Sequence, residues 1–335
     1  MKIFDAIVIG GGTAGAAMGA LLAKRGYKTA LLERDPHLGG RTSTFKYRGY
    51  SIDTGSHQFA SWTTCGFKDL FDEVGAELDL FPIKPSIMRY NVVTKSYTKS
   101  TGRDTLGEKT YADFKKIVSL IAGMSREEID TYHDISAEAW LMQNVQSKEL
   151  LDFCRRTTGF GGTPMNKLAA AAYLVTMNNA FNAETTISYP QKGGCIAFSN
   201  ALGEVILRHG GDVITEFNVD KVIIENGAVK GIIGRMMESG HTMIAEMELR
   251  ARIIVSTIPI DRLFTIVPEE KLDQLTVNKV NDFREHSIVY PGVIAGVDES
   301  LLDGFGEGKQ FFQFTAGDPK EDWHALVTVP TYVDK

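Results

Sequence analysis

The first 32 residues change from an apolar run to a glycine cluster, a helical pattern and a second apolar run. Phe4 to Ile9 is almost wholly apolar, which is typical of a parallel strand buried on both faces. Thr13 to Arg25 has helical periodicity, Gly26 stands at the position of a C-terminal cap, and Lys28 to Leu32 is a second strand. The predicted apolar face of the helix comprises Ala14, Ala17, Met18, Leu21 and Leu22. The pattern predicts a βαβ unit with a right-handed crossover.

The pattern changes after residue 62. Residues 63 to 189 are mixed in charge and include helix-favouring stretches such as Ser125 to Leu151, so they predict a largely helical second domain. Several large apolar side chains in this segment fit either an apolar substrate tunnel or an ordinary core. They are Trp140, Phe160, Tyr173, Met177 and Phe181.

Strand patterns return after Tyr189. Gly193-Gly194 precede an apolar helix from Ile196 to His209, and Asn226-Gly227 is a tight hairpin signal between two later strands. The predicted strands are Asp212 to Thr215, Val219 to Glu225, Val229 to Ile233, Thr242 to Leu249, Arg252 to Thr257, Gln310 to Phe314 and Ala325 to Val329. Together these patterns predict an α/β fold with a parallel sheet and a β-meander.

Composition narrows the class of protein. A chain of 335 residues suggests two domains, and a formal charge of −6 argues against nucleic acid as a partner. Cys65, Cys154 and Cys195 form no CxxC pair, and the histidines have no ligand spacing, so we expect neither disulfides nor a metal site. The apolar runs are too short for a signal peptide or a membrane span. We expect a cytoplasmic protein; peripheral membrane contact and dimerisation stay open.

A glycine motif stands between the first strand and the helix. Gly10, Gly12 and Gly15 form GxGxxG, in which the glycines permit a tight turn, close approach of a pyrophosphate and close helix–strand packing. The first helical N–H groups, at Thr13 and Ala14, then face the phosphates. Glu33 follows the second strand, where a carboxylate accepts hydrogen bonds from a ribose diol and repels a 2′-phosphate. These features predict dinucleotide binding.

A second glycine cluster extends this motif. Gly39-Gly40 would let the main chain run beside an extended ligand, and Arg41 would offer a planar donor fork to the pyrophosphate. The block resembles the flavoprotein superfamily of phytoene desaturases, monoamine oxidases and protoporphyrinogen oxidase, whose signature ends in GGR. The residues that match it are Gly10, Gly12, Gly15, Glu33, Gly40 and Arg41. The resemblance implies FAD as the cofactor, with Arg34, Gly39 and Thr42 also at the site.

Three further stretches are similar to the phytoene-desaturase-like branch. "GYSIDTGSHQF" implies a flavin-facing turn that contains Gly55, Ser56 and His57. In the stretch from Tyr189 to Ile232, Val219 matches a valine that lies against the adenine in the family. "IIVSTIP", which contains Thr257, resembles a later strand near the cofactor.

The resemblance implies a discontinuous Rossmann-like FAD-binding domain, residues 1–62 and 190–262, and an inserted, largely helical substrate domain, residues 63–189 and 263–335. The implied reaction is hydride transfer from a substrate C–H to flavin N5. It desaturates an apolar, isoprenoid or lipid-like substrate or oxidises an amine, with an electron acceptor still to be identified. His57 is the candidate catalytic residue, as a proton acceptor or substrate-orienting group, and a structural hydrogen-bonding role is the alternative. A non-catalytic carrier of prenylated or lipid ligands and an NAD-dependent dehydrogenase stay open.

One family feature is missing. These flavoproteins carry a late Gly-Asp pair followed by a glycine-rich helix start, whereas Gly317-Asp318 is followed by Pro319 and acidic residues. Truncation, completion by a partner and weakened flavin binding are the alternatives. We expect truncation, because Lys335 follows a strand-like run without a closing helix.

Overall fold

The computed structural model describes residues 2–56, 58–83, 88–91, 96–99, 106–157, 163–185, 187–238, 242–286, 313–316 and 325–328. The chain divides into two units. The first comprises Met1–Gln58, Lys68–Leu80 and Pro190–Ser287, and the second comprises Phe59–Phe67, Phe81–Tyr189 and Ile288–Lys335. Residues 68–80 and 263–286 therefore pack with the first unit, although the predicted division placed them in the substrate domain.

Four parallel strands form the central sheet of the first unit. They are β2 (Ala6–Ile9), β3 (Thr29–Leu32), β11 (Asp212–Ile214) and β15 (Ile253–Ser256), in the order β11-β3-β2-β15. The inner strands β2 and β3 are fully buried, as their apolar runs predict. Strand β15, although its run Ile253–Val255 is also apolar, is only half-buried because it lies at the edge of the sheet.

Two helices of the first unit pack closely against each other. They are α1 (Thr13–Lys24) and α8 (Ile196–Arg208), the predicted glycine-bounded helices. The predicted apolar face of α1 is wrong: Met18 is 38% exposed, and the buried residues are Gly15, Ala16, Gly19, Ala20 and Ala23. A Cβ atom on Gly19 would stand 2.6 Å from Cδ1 of Ile206. Close helix packing thus selects the smallest residues of α1 for its buried face.

A meander covers part of this unit. It comprises β1 (Lys2–Ile3), β12 (Phe217–Glu225), β13 (Ala228–Glu238) and β14 (Thr242–Arg250), in the order β1-β14-β13-β12. Asn226 and Gly227 have φ angles of 52° and 75°, which give the tight hairpin turn that their sequence predicts. The predicted meander is therefore present.

Smaller elements complete the first unit. Strands β4 (Thr44–Tyr47) and β5 (Tyr50–Asp53) form a separate two-stranded hairpin. Helix α2 (Phe67–Val74) packs Phe71 against Phe198 at a ring-centroid distance of 5.0 Å. The others are helix α9 (Gln274–His286) and the 3-10 turns Gly40–Thr42, Ile260–Thr265 and Glu269–Lys271.

The second unit is largely helical, as predicted. Its helices are α3 (Glu108–Gly123), α4 (Arg126–Asp130), α5 (Ala137–Asn144), α6 (Lys148–Thr157) and α7 (Ala170–Asn182). Two small sheets accompany them, of order β6-β10-β7 and β17-β16-β8-β9. Their strands are β6 (Phe59–Ala60), β7 (Leu80–Pro82), β8 (Met88–Asn91), β9 (Ser96–Lys99), β10 (Ile187–Pro190), β16 (Gln313–Ala316) and β17 (Ala325–Thr328).

The helices of the second unit surround one apolar core. Trp140 and Tyr173 are buried in it, and Met177 and Phe181 pack against it. These four candidate tunnel residues therefore act as core, while Phe160 lies outside the described residues. Among the helices that are described, none is long and apolar enough to cross a bilayer.

Candidate dinucleotide site

The first glycine turn, Gly10–Gly15, connects β2 to α1. Gly10 has a φ of 102°, and its N–H donates to the carbonyl of Leu32 at 2.8 Å. A Cβ atom on Gly15 would overlap the carbonyl oxygen of Gly10. Both glycines are therefore required by the backbone geometry of the turn.

Helix α1 begins without a side-chain cap. Gly12 occupies the N-cap position and makes no side-chain cap hydrogen bond. The first N–H groups, including those of Thr13 and Ala14, have no acceptor within the helix. The N-terminal end of the helix dipole carries partial positive charge, so the start of α1 suits an anionic group of a ligand.

The second glycine turn, Gly39–Arg41, lies alongside the first. The N–H of Gly39 donates to the carbonyl of Gly11 at 2.9 Å, and Gly12 and Gly39 form a parallel bridge. Gly39 and Gly40 have φ angles of 112° and 53°. A Cβ atom on Gly40 would lie 3.3 Å from Cα of Gly12. The structure thus brings two predicted motifs, more than twenty residues apart in sequence, into backbone contact.

Glu33 joins these turns. Its side chain is buried, Oε2 accepts from the N–H of Gly11 at 2.6 Å, and Oε1 accepts from the N–H of Asp35 at 2.9 Å. Each carboxylate oxygen retains a further lone pair for a ribose hydroxyl. The sequence reasoning missed Gly11, where a Cβ atom would stand 2.9 Å from Cβ of Glu33. The sequence signal for Gly11 is the run of three consecutive glycines, Gly10-Gly11-Gly12, of which the motif requires only the first and the last.

Thr257 contacts the main chain where β2 enters the first glycine turn. Its hydroxyl lies 3.0 Å from the carbonyl oxygen of Ile9 and 3.1 Å from that of Gly10. The hydroxyl therefore holds the end of β2 in place, and the predicted cofactor residue acts on the turn itself.

Arg41 connects the second glycine turn to the segment before Gln58. Its carbonyl accepts from the N–H of Ser56 at 3.0 Å, and a Cβ atom on Gly55 would stand 2.5 Å from that oxygen. The guanidinium of Arg41 is exposed and makes no ion pair with any described residue. Arg34 is also exposed, with Nε 3.7 Å from the carboxylate of Asp35. Both cations stay available to a ligand.

Thr42 ends the second glycine turn. Its N–H and its hydroxyl both donate to the carbonyl of Gly39, at 2.9 and 2.7 Å. This pair of bonds fixes the tight curvature of the turn. His57, the candidate catalytic residue, lies outside the described residues, so its role stays a prediction.

Gln58 carries a buried acceptor near this turn. The hydroxyl of Ser56 donates to the carbonyl of Gln58 at 3.1 Å, which fixes the backbone. The side-chain Oε1 of Gln58 is buried and has no hydrogen-bond partner among the described residues. A buried acceptor of this kind is uncommon in proteins and fits a donor on a ligand.

A polar cluster anchors the hairpin of β4 and β5 to the start of α8. The carboxylate of Asp53 accepts from the hydroxyl of Thr44 at 2.5 Å and from the N–H of Cys195 at 3.0 Å. The hydroxyl of Thr44 accepts from the N–H of Ile196 at 3.1 Å. Burial, and then the neighbouring Asp53 carboxylate, raise the pKa of the Cys195 thiol, which is therefore neutral. Gly194, with a φ of 75°, leaves room for these side chains.

Val219 lies on β12, which is tied to the end of β3. The N–H of Phe217 donates to the carbonyl of Glu33 at 2.8 Å, two residues before Val219. Val219 itself is half-buried and pairs with Gly234. Beside it, Arg235 binds the Asp220 carboxylate through two bonds of 2.6 and 2.7 Å and lowers the pKa of that carboxyl. Val219 therefore lies two residues along β12 from the residue that bonds to the main chain of Glu33.

The described residues contain no cluster of three or more histidine, cysteine or acidic side chains arranged for a metal. Apart from His57, every predicted cofactor residue lies in or beside the two glycine turns, on the segment tied to Arg41, or on β12.

Residues 8–74 match the family of NAD(P)-binding Rossmann-like domains. The first unit contains a Rossmann-like domain. This confirms the Rossmann-like α/β fold that the sequence predicts. The match includes Gly10 to Gly15, Glu33 and the second glycine turn.

The chain is also similar to 4,4'-diapophytoene desaturase (4,4'-diapolycopene-forming) from a Methylomonas species. The two are 24% identical over 264 residues, which cover 68% of this chain and 50% of that protein. The chain thus spans about half the length of this curated relative. This similarity supports the predicted resemblance to the desaturase branch.

Solved structures share the fold. An oxidoreductase from Methanosarcina mazei superposes with a TM-score of 0.65 at 19% identity, over 84% of this chain and 65% of that one. Putrescine oxidase bound to putrescine superposes with a TM-score of 0.61 at 19% identity, over 83% of this chain and 63% of that one. At these identities the likenesses show a shared fold. The predicted resemblance to the desaturase and amine oxidase superfamily agrees with this fold and with the sequence similarity to the diapophytoene desaturase.

Proposed function

We propose that the protein is an FAD-dependent oxidoreductase that removes a hydride from a C–H bond of an apolar organic substrate. The observation that supports this best is the backbone contact of the two glycine turns beside the uncapped start of α1. A simple nicotinamide-binding fold requires the first turn alone. The second turn adds the main chain of Gly39 and Gly40 alongside the first turn, together with the exposed guanidinium of Arg41.

The residues present fit the pyrophosphate of FAD. The nearest atom to a Cβ on Gly12 would be the carbonyl oxygen of Gly39, at 3.9 Å, so the backbone at Gly12 is open to a ligand. Side chains at Gly12 and Gly40 would fill this space. Gly12, Thr13 and Ala14 would offer N–H groups to the phosphates, and Arg41 would neutralise their charge.

The adenosine part would contact the other predicted residues. Glu33 would accept hydrogen bonds from the ribose diol through its remaining lone pairs, and its charge disfavours a 2′-phosphate. Val219 would contact the adenine from β12. Gln58, on the segment fixed to Arg41, would accept a hydrogen bond from the ligand.

Bound FAD would supply a two-electron acceptor for a hydride; loss of that hydride from one carbon and of a proton from the neighbouring atom desaturates a C–C bond or oxidises a C–N bond. The chain itself contributes binding, orientation and exclusion of water. His57 follows Ser56, whose N–H is fixed to Arg41, so we assign it the task of orienting substrate or accepting a proton. Similarity to the diapophytoene desaturase favours C–C desaturation of an isoprenoid or lipid-like substrate, and the likeness to putrescine oxidase keeps amine oxidation as the second candidate.

Competitive titration tests the proposal. The purified full chain is titrated with FAD, NAD and NADP while intrinsic fluorescence is followed. We expect FAD to bind tightest and NADP weakest, because the Glu33 carboxylate would repel a 2′-phosphate. Preference for NAD would contradict the use of the second glycine turn, and no binding of any dinucleotide would support the carrier alternative. Gly12→Val should abolish FAD binding, while Gly26→Asn, at an open position with φ of 84°, should preserve it.

A further inference from the structure

The hairpin of β4 and β5 continues into the segment Gly55–Gln58. In the antiparallel register of the two strands, the N–H and the hydroxyl of Thr54 both donate to the carbonyl of Ser43, at 2.9 and 3.0 Å. Two residues further on, the N–H of Ser56 donates to the carbonyl of Arg41 at 3.0 Å. The two strands therefore stay paired from the hairpin to the second glycine turn. We call this pair of segments, residues 41–47 and 50–56, the ribbon.

The ribbon has little apolar burial to hold it in place. Strands β4 and β5 pair with each other and with no other described strand, and a lone two-stranded hairpin is only marginally stable in water. Its large side chains Phe45, Tyr47 and Tyr50 are exposed. The position of Gly55–Gln58 therefore depends on polar bonds between the ribbon and the rest of the first unit.

The middle of the ribbon is bonded to the start of α8. The Asp53 carboxylate accepts from the hydroxyl of Thr44 and from the N–H of Cys195, and the hydroxyl of Thr44 accepts from the N–H of Ile196. Cys195 occupies the N-cap position of α8, and its own side chain makes no cap bond. The first N–H groups of α8 are thus satisfied by side chains more than 140 positions away in sequence.

The start of α8 has a shape that admits these side chains. A Cβ atom on Gly194 would stand 2.5 Å from Oγ1 of Thr44 and 2.8 Å from Oδ1 of Asp53. Elsewhere the chain caps helices locally: Ser125 and Ser136 begin α4 and α5 with their own hydroxyls. A cap supplied by the ribbon instead ties the position of the ribbon to that of the helix.

Helix α8 is in turn fixed to the predicted pyrophosphate site. It packs against α1, whose start would bind the phosphates. It also lies against the second glycine turn, because a Cβ atom on Gly39 would stand 3.3 Å from Cγ1 of Ile196. The bonds of Asp53 therefore hold the ribbon to the same helix that supports both glycine turns.

We propose that Asp53, through Thr44 and the start of α8, is the positioning residue that holds Gly55–Gln58 in place to contact bound FAD. The proposal rests on the proposed function, and Asp53 acts through the ribbon rather than by touching the ligand. A carboxylate suits this task, because hydrogen bonds to a charged acceptor are about twice as strong as neutral ones and negative charge is favourable at a helix start.

The alternative is that Asp53 only stabilises α8. The first unit contains a matched control at the start of α9, where Asp273 accepts from the N–H of Thr276 at 2.9 Å and from its hydroxyl at 2.7 Å. Both aspartates accept from a threonine hydroxyl and from a backbone N–H at a helix start. Asp273 is not joined to the ribbon, so its replacement should affect stability alone.

Hydrogen exchange of the FAD-free full chain tests whether these bonds hold the ribbon. Thr44→Val replaces the hydroxyl by a methyl group of similar size. We expect the Ser56 amide to exchange on the order of tenfold faster in this variant, because a hydrogen bond to a charged group is lost and the ribbon opens more often. Thr44→Ser, which keeps the hydroxyl, should exchange like the wild type. Thr276→Val should leave the exchange of Ser56 unchanged.

FAD titration and visible circular dichroism of the bound flavin test the positioning role. Thr44→Val and Asp53→Ala should raise the Kd for FAD roughly tenfold, because the ligand must then hold the ribbon in place itself. At saturating FAD the circular dichroism of the flavin should also be weaker, since its surroundings are less fixed. Thr276→Val and Asp273→Ala should lower the melting temperature and leave both FAD readouts unchanged.

The outcomes separate this proposal from the proposed function. Unchanged Ser56 exchange in Thr44→Val overturns the proposal without any reference to FAD. Faster exchange with an unchanged Kd and unchanged flavin circular dichroism also overturns it, and assigns Asp53 to the stability of α8 alone. If Asp53→Ala does not fold, Thr44→Val with its rescue by Thr44→Ser decides. A folded wild-type chain that binds no FAD contradicts the proposed function, and the cofactor role of Asp53 with it.

Discussion

Helical glycines show how differently the two units are specified. Gly15 in α1 of the first unit has no space for a Cβ atom, which would overlap the carbonyl of Gly10. Gly123 at the end of α3 in the second unit has nothing within 4 Å of the same position. In the first unit the backbone itself makes the close contacts, whereas in the second unit bulky side chains fill a core around Trp140.

This difference decides which kind of substitution destabilises each unit. Close backbone contacts tolerate no added atoms, so the first unit should be sensitive to gain of volume. A core of large side chains leaves a cavity when atoms are removed, so the second unit should be sensitive to loss of volume. Substitutions of matched size in the two units therefore test whether they respond differently to added and removed volume.

The largest effect is expected in the second unit. Trp140→Ala removes a buried indole and should lower the free energy of unfolding by about 3–5 kcal/mol. Met142, on the same helix and 60% exposed, is the control, and Met142→Ala should change little. Urea unfolding followed by circular dichroism measures both. Equal effects of the two substitutions would show that Trp140 is not a core residue.

The second effect is expected in the first glycine turn. Gly15→Ala should lower the free energy of unfolding by about 3 kcal/mol, because α1 and β2 must separate, and should weaken dinucleotide binding. Gly123→Ala is the matched change in the second unit and should be neutral or slightly stabilising. Thermal melts and FAD titration check both variants. A well-folded Gly15→Ala that binds FAD like the wild type would contradict the backbone argument.

The third effect depends on pH. Burial raises the pKa of the Cys154 thiol to about 11, whereas its hydrogen bond with Tyr173 acts in the opposite direction. A thiol in the unfolded chain ionises near pH 8.5, so the stabilisation is fully present below that pH and is lost as the pH rises through about 11.

Between pH 8 and 10 the loss from this thiol should be about 2 kcal/mol, measured by urea unfolding at each pH. Cys154→Ala should flatten this slope. Cys65, which is half-buried, provides the control in Cys65→Ala. An unchanged slope in Cys154→Ala would show that this thiol does not ionise on unfolding.

The smallest expected change in stability comes from replacing either of two buried polar side chains of the first unit, Gln58 and Ser199. Gln58 Oε1 and Ser199 Oγ are both buried, and neither has a hydrogen-bond partner in the part of the chain that the structure describes. Gln58→Met and Ser199→Ala should each raise the stability of the FAD-free chain by about 1 kcal/mol. Gln58→Met alone should also weaken FAD binding, by on the order of tenfold. If both variants bind FAD like the wild type, Gln58 is not a ligand residue.

The sequence predicts the first unit well because glycines and apolar strands record its backbone geometry. Gly10, Gly15 and Gly39 stand where close approach or a positive φ requires them, so motif and structure coincide. The buried face of α1 was not predictable from hydrophobicity, because the neighbouring helix α8 selects small residues over Leu21 and Leu22. Which face of a helix is buried depends on the element that packs against it, and the hydrophobic pattern of the helix does not identify that element.

Contacts between segments that are distant in sequence could not be predicted either. Nothing in the spacing links Asp53 to Cys195, or Ser56 to Arg41, yet these bonds position the hairpin and the turn before Gln58. The hairpin of β4 and β5 has one recognisable signal, Arg48-Gly49 between alternating residues, and its φ angles of 49° and 87° match a tight turn. Pairing partners across the fold require the structure.

The central claim is that two glycine turns in contact hold the pyrophosphate of FAD. A crystal structure of the full chain with FAD tests it most directly. We expect phosphate oxygens within hydrogen-bond distance of the backbone N–H groups at the start of α1, with the main chain of Gly40 and the guanidinium of Arg41 beside them. A pyrophosphate bound elsewhere, or FAD that makes no contact with Gly12 and Gly40, would show that the glycine turns do not hold it.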